Sequence, residues 1–164
     1  MSLNFKNLSV LLIEDNKGMK DLISSVLDGL GVKNLRMASD GENGFRLFQQ
    51  ENWDIIIADW EMQPVNGIEF TKTARRSSMS PNKMVPIILL TGYAAPQRVK
   101  IARDAGVTEY LIKPFTADAL IKRITHVINN PRRFVVTETY VGPDRRRRQD
   151  PKFKGPFRRA DDNQ

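Results

Sequence analysis

Short apolar runs alternate with longer amphipathic stretches along the first 130 residues. Val10-Leu11-Leu12-Ile13, Leu35-Arg36-Met37-Ala38, Ile55-Ile56-Ile57-Ala58, Ile87-Ile88-Leu89-Leu90 and Tyr110-Leu111-Ile112 have the length and side-chain type of buried strands. A helical pattern follows each, over residues 17–30, 41–51, 67–76, 96–105 and 117–129. Gly31 and Gly106 stand where a helix stops, and Pro96 and Thr116 where one starts. Strands apolar along their whole length, alternating with helices, predict an α/β fold with a doubly wound, five-stranded parallel sheet covered on both faces. Right-handed crossovers then place any site at the carboxyl ends of the strands. Pro131 closes the last helical pattern, which divides the chain into a domain over residues 1–130 and a segment over 131–164.

At 164 residues the chain has room for one ordinary domain and an appendage. No stretch approaches the ~20 apolar residues of a membrane span and the first residues lack a secretory leader, so a cytoplasmic protein without membrane insertion is expected. The absence of cysteine excludes disulfides, thiolate zinc sites and thiol catalysis. Charge changes the picture more. Of the net +7, residues 1–130 carry 16 Lys+Arg against 14 Asp+Glu, whereas residues 131–164 carry 10 against 5. The basicity belongs to the final segment, whose field attracts phosphate-bearing ligands or acidic protein faces.

Five chemically capable side chains fall at the carboxyl ends of the predicted strands: Glu14 and Asp15 after the first, Asp59 after the third, Thr91 after the fourth and Lys113 after the fifth. Three converging carboxylates repel one another unless a hard cation joins them, and an oxygen-only donor set suits Mg²⁺. The hydroxyl and the ammonium supply donors for the oxygens of a transferring phosphoryl group, for which Asp59 is the expected nucleophile. Glu61 and Tyr93, each two residues beyond a member of this set, flank the path of a hydrolytic water.

These residues resemble the receiver domain of two-component response regulators, the chemotaxis (CheY-like) type in particular, which has a flavodoxin-like fold. The resemblance spans about residues 5–130. It rests on Leu12-Ile13-Glu14-Asp15-Asn16, on Ala58-Asp59-Trp60-Glu61-Met62 with Gly67, on Leu90-Thr91-Gly92 and on Tyr110-Leu111-Ile112-Lys113-Pro114-Phe115. It implies that Asp59 accepts phosphate from a histidine kinase or phosphotransfer protein, so that the chain is a phosphoryl acceptor rather than an enzyme. It also implies that Asp15, Asp59 and the Glu61 carbonyl ligate Mg²⁺, that Glu14 holds a metal-bound water, and that Thr91 and Lys113 bind the phosphoryl oxygens. Tyr110 corresponds to the aromatic switch that turns inward as Thr91 moves, and Lys113-Pro114 to a cis peptide bond. Trp53, Trp60 and His126 are assigned packing or surface positions.

The basic segment repeats itself. Tyr140-Val141-Gly142-Pro143-Asp144-Arg145-Arg146 returns as Phe153-Lys154-Gly155-Pro156-Phe157-Arg158-Arg159, so that an aromatic residue, a Gly-Pro turn and an arginine pair recur in register. Arginine forks pair bidentately with phosphate and with the O6/N7 edge of guanine, the aromatic rings offer stacking surfaces, and Asp144 can accept from guanine N–H groups. The run Arg145-Arg146-Arg147-Arg148 alone also fits a solvated extension or a nonspecific polyanion contact. The repeat resembles the arginine-rich tail of Cle-type effectors of cyclic di-GMP. That resemblance implies nucleotide contacts from Tyr140, Gly142, Pro143, Asp144, Arg145 and Arg146 in the first element and from Gly155, Pro156, Arg158 and Arg159 in the second. Phe157 departs from the acidic residue that would mirror Asp144.

The sequence therefore predicts a receiver domain with an extended, largely disordered basic tail that binds cyclic di-GMP and governs docking to an output protein such as the flagellar motor switch. The alternatives are a stand-alone phosphotransfer receiver whose tail is a docking segment, and a nucleic-acid-binding tail, the less expected of the two.

Overall fold

The computed structural model describes residues 3–145. A single 3₁₀ turn at Phe5–Asn7 precedes five alternations of strand and helix. These are β1 (Ser9–Ile13), α1 (Lys17–Gly29), β2 (Asn34–Ala38), α2 (Gly41–Phe48), β3 (Ile55–Asp59), α3 (Gly67–Arg76), β4 (Ile87–Thr91), α4 (Pro96–Ala105), β5 (Glu109–Ile112) and α5 (Ala117–Asn129). The strands form one parallel sheet in the order β2-β1-β3-β4-β5. The expected α/β architecture is thus present, with every element within a few residues of its predicted place.

Side-chain alternation divides the core between two faces. Val10, Leu12, Ile55, Ile57, Ile88 and Leu90 meet α1 and α5 through Ile23, Leu27, Leu120 and Ile124. Leu11, Ile13, Ile56, Ala58 and Ile87 meet α2 and α3 through Phe48, Phe70 and Ala74. Leu89, Trp60 and Ile68 pack beneath Ala102 and Ala105 of α4. β3 lies at the centre and is buried on both faces, which is why its run is apolar without interruption.

The helix starts are fixed locally. Asn16, Asp40, Asn66 and Thr116 each accept hydrogen bonds from backbone N–H groups of the following turn. α4 has no side-chain cap; it begins at Pro96, whose missing N–H costs nothing in a first turn.

The chain does not leave the domain after α5. Beyond Pro131 it forms an antiparallel hairpin from β6 (Phe134–Val136) and β7 (Val141–Pro143), with Val135 opposite Gly142. The expected absence of structure from residue 131 onward does not hold for this hairpin, because receiver and segment are fitted to each other. Gly106, the left-handed cap of α4 (φ 103°), leaves no room for a side chain against the Val141 carbonyl. Arg75 on α3 is fully buried. Its guanidinium donates to the carbonyl oxygens of Gly106 (2.9 Å), Lys83 (2.9 Å) and Val85 (2.6 Å), and lies 4.9 Å from the Phe134 ring centroid. Arg76 donates to the Thr139 carbonyl at 2.8 Å, and Arg132 to the carbonyls of Thr108 and Asp144.

Candidate phosphoryl-acceptor site

The site is built where β1, β3, β4 and β5 end on one edge of the sheet. Register sets Ile13 beside Ala58, Asp59 beside Leu90 and Thr91 beside Ile112, so the residues just past these pairs share one crevice. Glu14 is completely buried and Asp59 nearly so, while Asp15 is exposed at the rim. One carboxylate oxygen from each lies within 4.8 Å of the others.

Lys113 closes the cluster. Its ammonium stands 2.9 Å from Asp59 Oδ1 and 3.2 Å from Glu14 Oε2, bridging two of the three carboxylates. Burial, followed by the Asp59 charge, pushes the Glu14 carboxyl up to about 7. Burial likewise raises Asp59 above the usual carboxylate range, against the pull of its hydrogen bond to Lys113. Burial alone would lower Lys113, but its contacts with Asp59 and Glu14 outweigh it and raise the ammonium above its ordinary value. The pocket thus holds more negative charge than its single ammonium neutralises. That imbalance, in an all-oxygen donor set, fits a divalent cation.

Thr91 is buried at the end of β4 and its hydroxyl accepts the Tyr93 N–H at 3.1 Å. Tyr110 is half-buried against the cluster under α4. The structure therefore gathers Glu14, Asp15, Asp59 and Lys113 in one cluster. Thr91 ends the neighbouring strand, and Tyr110 lies on β5 in the direction of α4. Both Lys113-Pro114 and Gln63-Pro64 are cis.

Two arginines have positions that the sequence pattern did not mark, one beside the pocket and one beneath the hairpin. Arg98, in the first turn of α4, pairs with the Glu61 carboxylate and lies over Trp60, with its guanidinium carbon 3.7 Å from that ring centroid and 4.9 Å from that of Tyr93. Trp60, assigned only to packing, is thus also a platform for a cation. A first-turn cation opposes the helix dipole, and that misplacement was the available signal that something else holds Arg98. Arg75 stands at the end of α3, yet its spacing from Ile68 and Thr71 puts it on the buried face of that helix.

Of the repeated motif, Tyr140, Gly142, Pro143, Asp144 and Arg145 are described, whereas Arg146, Gly155, Pro156, Arg158 and Arg159 lie outside the described residues. Tyr140 is 4% exposed, donates to the Pro143 carbonyl at 2.6 Å and carries the Arg145 guanidinium 4.3 Å from its ring centroid. A ring so enclosed presents no face to a nucleobase in this arrangement, contrary to its expected stacking role. Asp144 is buried as well, its carbonyl held by Arg132 and its N–H by the Arg133 carbonyl at 2.6 Å. Arg145 reaches back to α4, 2.9 Å from Asp104 Oδ1.

The family profile of the response regulator receiver domain matches residues 10–125, and the chain belongs to that family. Receiver domains are phosphoryl-accepting modules of two-component signalling. Among curated proteins the chain is 29% identical over 122 residues to chemotaxis protein CheY-3 of Vibrio cholerae, covering 74% of this chain and 92% of that one. Among solved structures it is similar to CheY4 of V. cholerae (30% identity, TM-score 0.67, 73% of this chain and 98% of that one). It is also similar to the receiver domain of the sensor histidine kinase PA1611 of Pseudomonas aeruginosa, solved with a magnesium ion coordinated in its active-site cleft (29%, TM-score 0.64, 73% and 94%). No described helix is long and apolar enough to cross a membrane.

Proposed function

We propose that Asp59 accepts a phosphoryl group from a histidine kinase or phosphotransfer protein, with Mg²⁺ held by Asp15, Asp59 and the Glu61 carbonyl and with Glu14 holding a metal-bound water. The observation that supports this reading is Lys113 bridging Asp59 and Glu14, because it puts an ammonium beside the carboxylate cluster, where a cation and a dianion can be neutralised together. When bound there, the cation would supply charge screening between these carboxylates and the incoming phosphoryl oxygens. Lys113 and the Thr91 hydroxyl donate to those oxygens, and movement of Thr91 makes room for Tyr110 to turn inward. Labelling by a small phosphodonor in the presence of Mg²⁺ tests the assignment. Asp59→Asn abolishes the label, and undiminished labelling of that variant removes Asp59 from the role.

The finer part of the proposal is that the basic segment binds cyclic di-GMP and thereby governs docking to an output protein, the flagellar motor switch being one candidate. The doubled Gly-Pro and arginine-pair phrase supports it. Arg145 and Arg146, with Arg158 and Arg159, supply the forks for phosphate and guanine; Gly155 and Pro156 shape the second element. Tyr140, Gly142, Pro143 and Asp144 act as the support that sets Arg145 in place. The packing of Tyr140 and Asp144 favours a second reading of the first element, in which it is an intramolecular docking motif and the chain is a phosphotransfer receiver with a structured extension. Calorimetric titration with cyclic di-GMP, GMP and random RNA separates these. Preference for the dinucleotide supports an effector tail, equal competition by RNA a polyanion binder, and no binding the docking motif.

A further inference from the structure

The packed segment does more than cover α4. Between α4, β5 and the chain at 132–145 it leaves a cavity of about 280 Å³. Arg103, Arg132 and Arg145 line it, together with Glu109, Tyr110 and Val99. Glu109 pairs with Arg123 at 3.1 Å and Arg145 with Asp104 at 2.9 Å, so three guanidinium groups and one carboxylate meet at the lining. Arg132 is clamped by its bonds to the Thr108 and Asp144 carbonyls, and Arg145 is fixed between the Tyr140 ring and Asp104. Both cations are therefore held in place before any ligand arrives, which lowers the ordering cost of binding. The Nε–H of Arg145 is buried with no acceptor, an arrangement that disfavours the empty state and that a ligand oxygen would relieve.

We infer that this cavity is a binding site for a phosphate-bearing planar ligand, seated against Tyr110 and built jointly by the receiver and its carboxyl-terminal segment. Sites for drug-sized molecules run to about 300–1,000 Å³, so the volume suits a base with its phosphate rather than a whole cyclic dinucleotide. The ligand is then one half of cyclic di-GMP, an identity that rests on the nucleotide reading above; the anion site itself rests on the arginines. Because Tyr110 forms part of the wall, an occupied cavity restricts the inward turn of that ring. Nucleotide and phosphoryl group would thus act on one side chain.

The full-length chain, labelled with ¹⁵N, is titrated with cyclic di-GMP and with inorganic pyrophosphate. Arg103→Ala is the test variant, because Arg103 is exposed and belongs to neither the acidic pocket nor the repeated motif. Lys33→Ala is the control of equal charge. Saturable shifts at amides within 99–110, with dinucleotide affinity about tenfold or more weaker in Arg103→Ala but not in Lys33→Ala, are expected for loss of one charge-assisted hydrogen bond. Dinucleotide binding with those amides still and all three proteins equal overturns the cavity while the nucleotide reading stands. If cyclic di-GMP does not bind the wild type, the nucleotide reading fails and pyrophosphate decides. Saturable shifts at the same amides, lost in Arg103→Ala, establish an anion site, and their absence overturns the cavity too.

Discussion

A side chain on Gly142 would begin 2.8 Å from the Cα of Gly106, so that the hairpin and the end of α4 meet backbone to backbone. The same side chain would stand 2.6 Å from the Tyr140 hydroxyl, which holds the turn through Pro143. Gly142→Ala must therefore push the hairpin off α4 or break the tyrosine bond. Overpacking of this kind costs about 1–3 kcal/mol. Thermal melting should register the loss, and hydrogen exchange should show faster exchange at residues 134–143 while the β1–β5 sheet stays protected. Unchanged protection of the hairpin would refute this account of its docking.

Arg98 holds the mouth of the acidic pocket through Glu61 on one side and the Trp60 ring on the other, and its Nε–H is buried without an acceptor. It joins the first turn of α4 to the loop that follows β3. Removing it in Arg98→Ala opens the approach for a phosphodonor and for water alike. Labelling of Asp59 by a small phosphodonor should then be faster and the acyl phosphate shorter-lived. Arg98→Lys keeps the charge but not the flat stack, and should fall between. A variant with wild-type rates for both steps would show that the clasp does not limit access.

Asp15 is the exposed member of the carboxylate cluster, and its charge contributes to the raised Asp59. Asp15→Ala removes both a metal ligand and a source of repulsion. Without metal the variant should melt above the wild type, whereas millimolar Mg²⁺ should raise the melting temperature of the wild type alone. An apo variant less stable than the wild type would mean that Asp15 supports the loop by more than its charge costs.

The receiver half was legible because its signals are periodic and local. β3 reads as four consecutive apolar residues before Asp59 because both its faces are covered, and Pro96 and Thr116 mark their helix starts by local chemistry. Asp59, Glu14 and Lys113 were legible together because each ends a strand and parallel register forces those ends into line. The hairpin was not legible. Val135 and Val141 lie among arginines, prolines and a Gly-Pro turn, which on local propensity read as unstructured chain. What orders them is Arg75, 59 residues before Phe134, buried by contacts with carbonyls that no periodicity reveals. Composition also misled about Arg132. It looks like a peripheral basic residue beside Arg133, yet it clamps the Asp144 carbonyl.

The raised carboxyls give the metal-free protein an unusual pH dependence. Glu14 titrates near 7 when folded, against 4.5 for an ordinary glutamate, so between those values the folded chain holds a proton that the unfolded chain has released. Stability therefore falls as pH rises from about 4.5 to 7, and the raised Asp59 acts in the same direction. Lys113 does not oppose this trend. Its ammonium is raised above an already high value, so it stays charged in both states throughout the window. In the presence of a chelator, the denaturation midpoint should be higher at pH 5 than at pH 7. Saturating Mg²⁺, which binds the ionised carboxylates, should reverse that order. Glu14→Gln cannot ionise and should flatten the apo profile. A metal-free wild type that gains stability between pH 5 and 7 would show that the Lys113 bridge, and not burial, governs the charge state of the pocket.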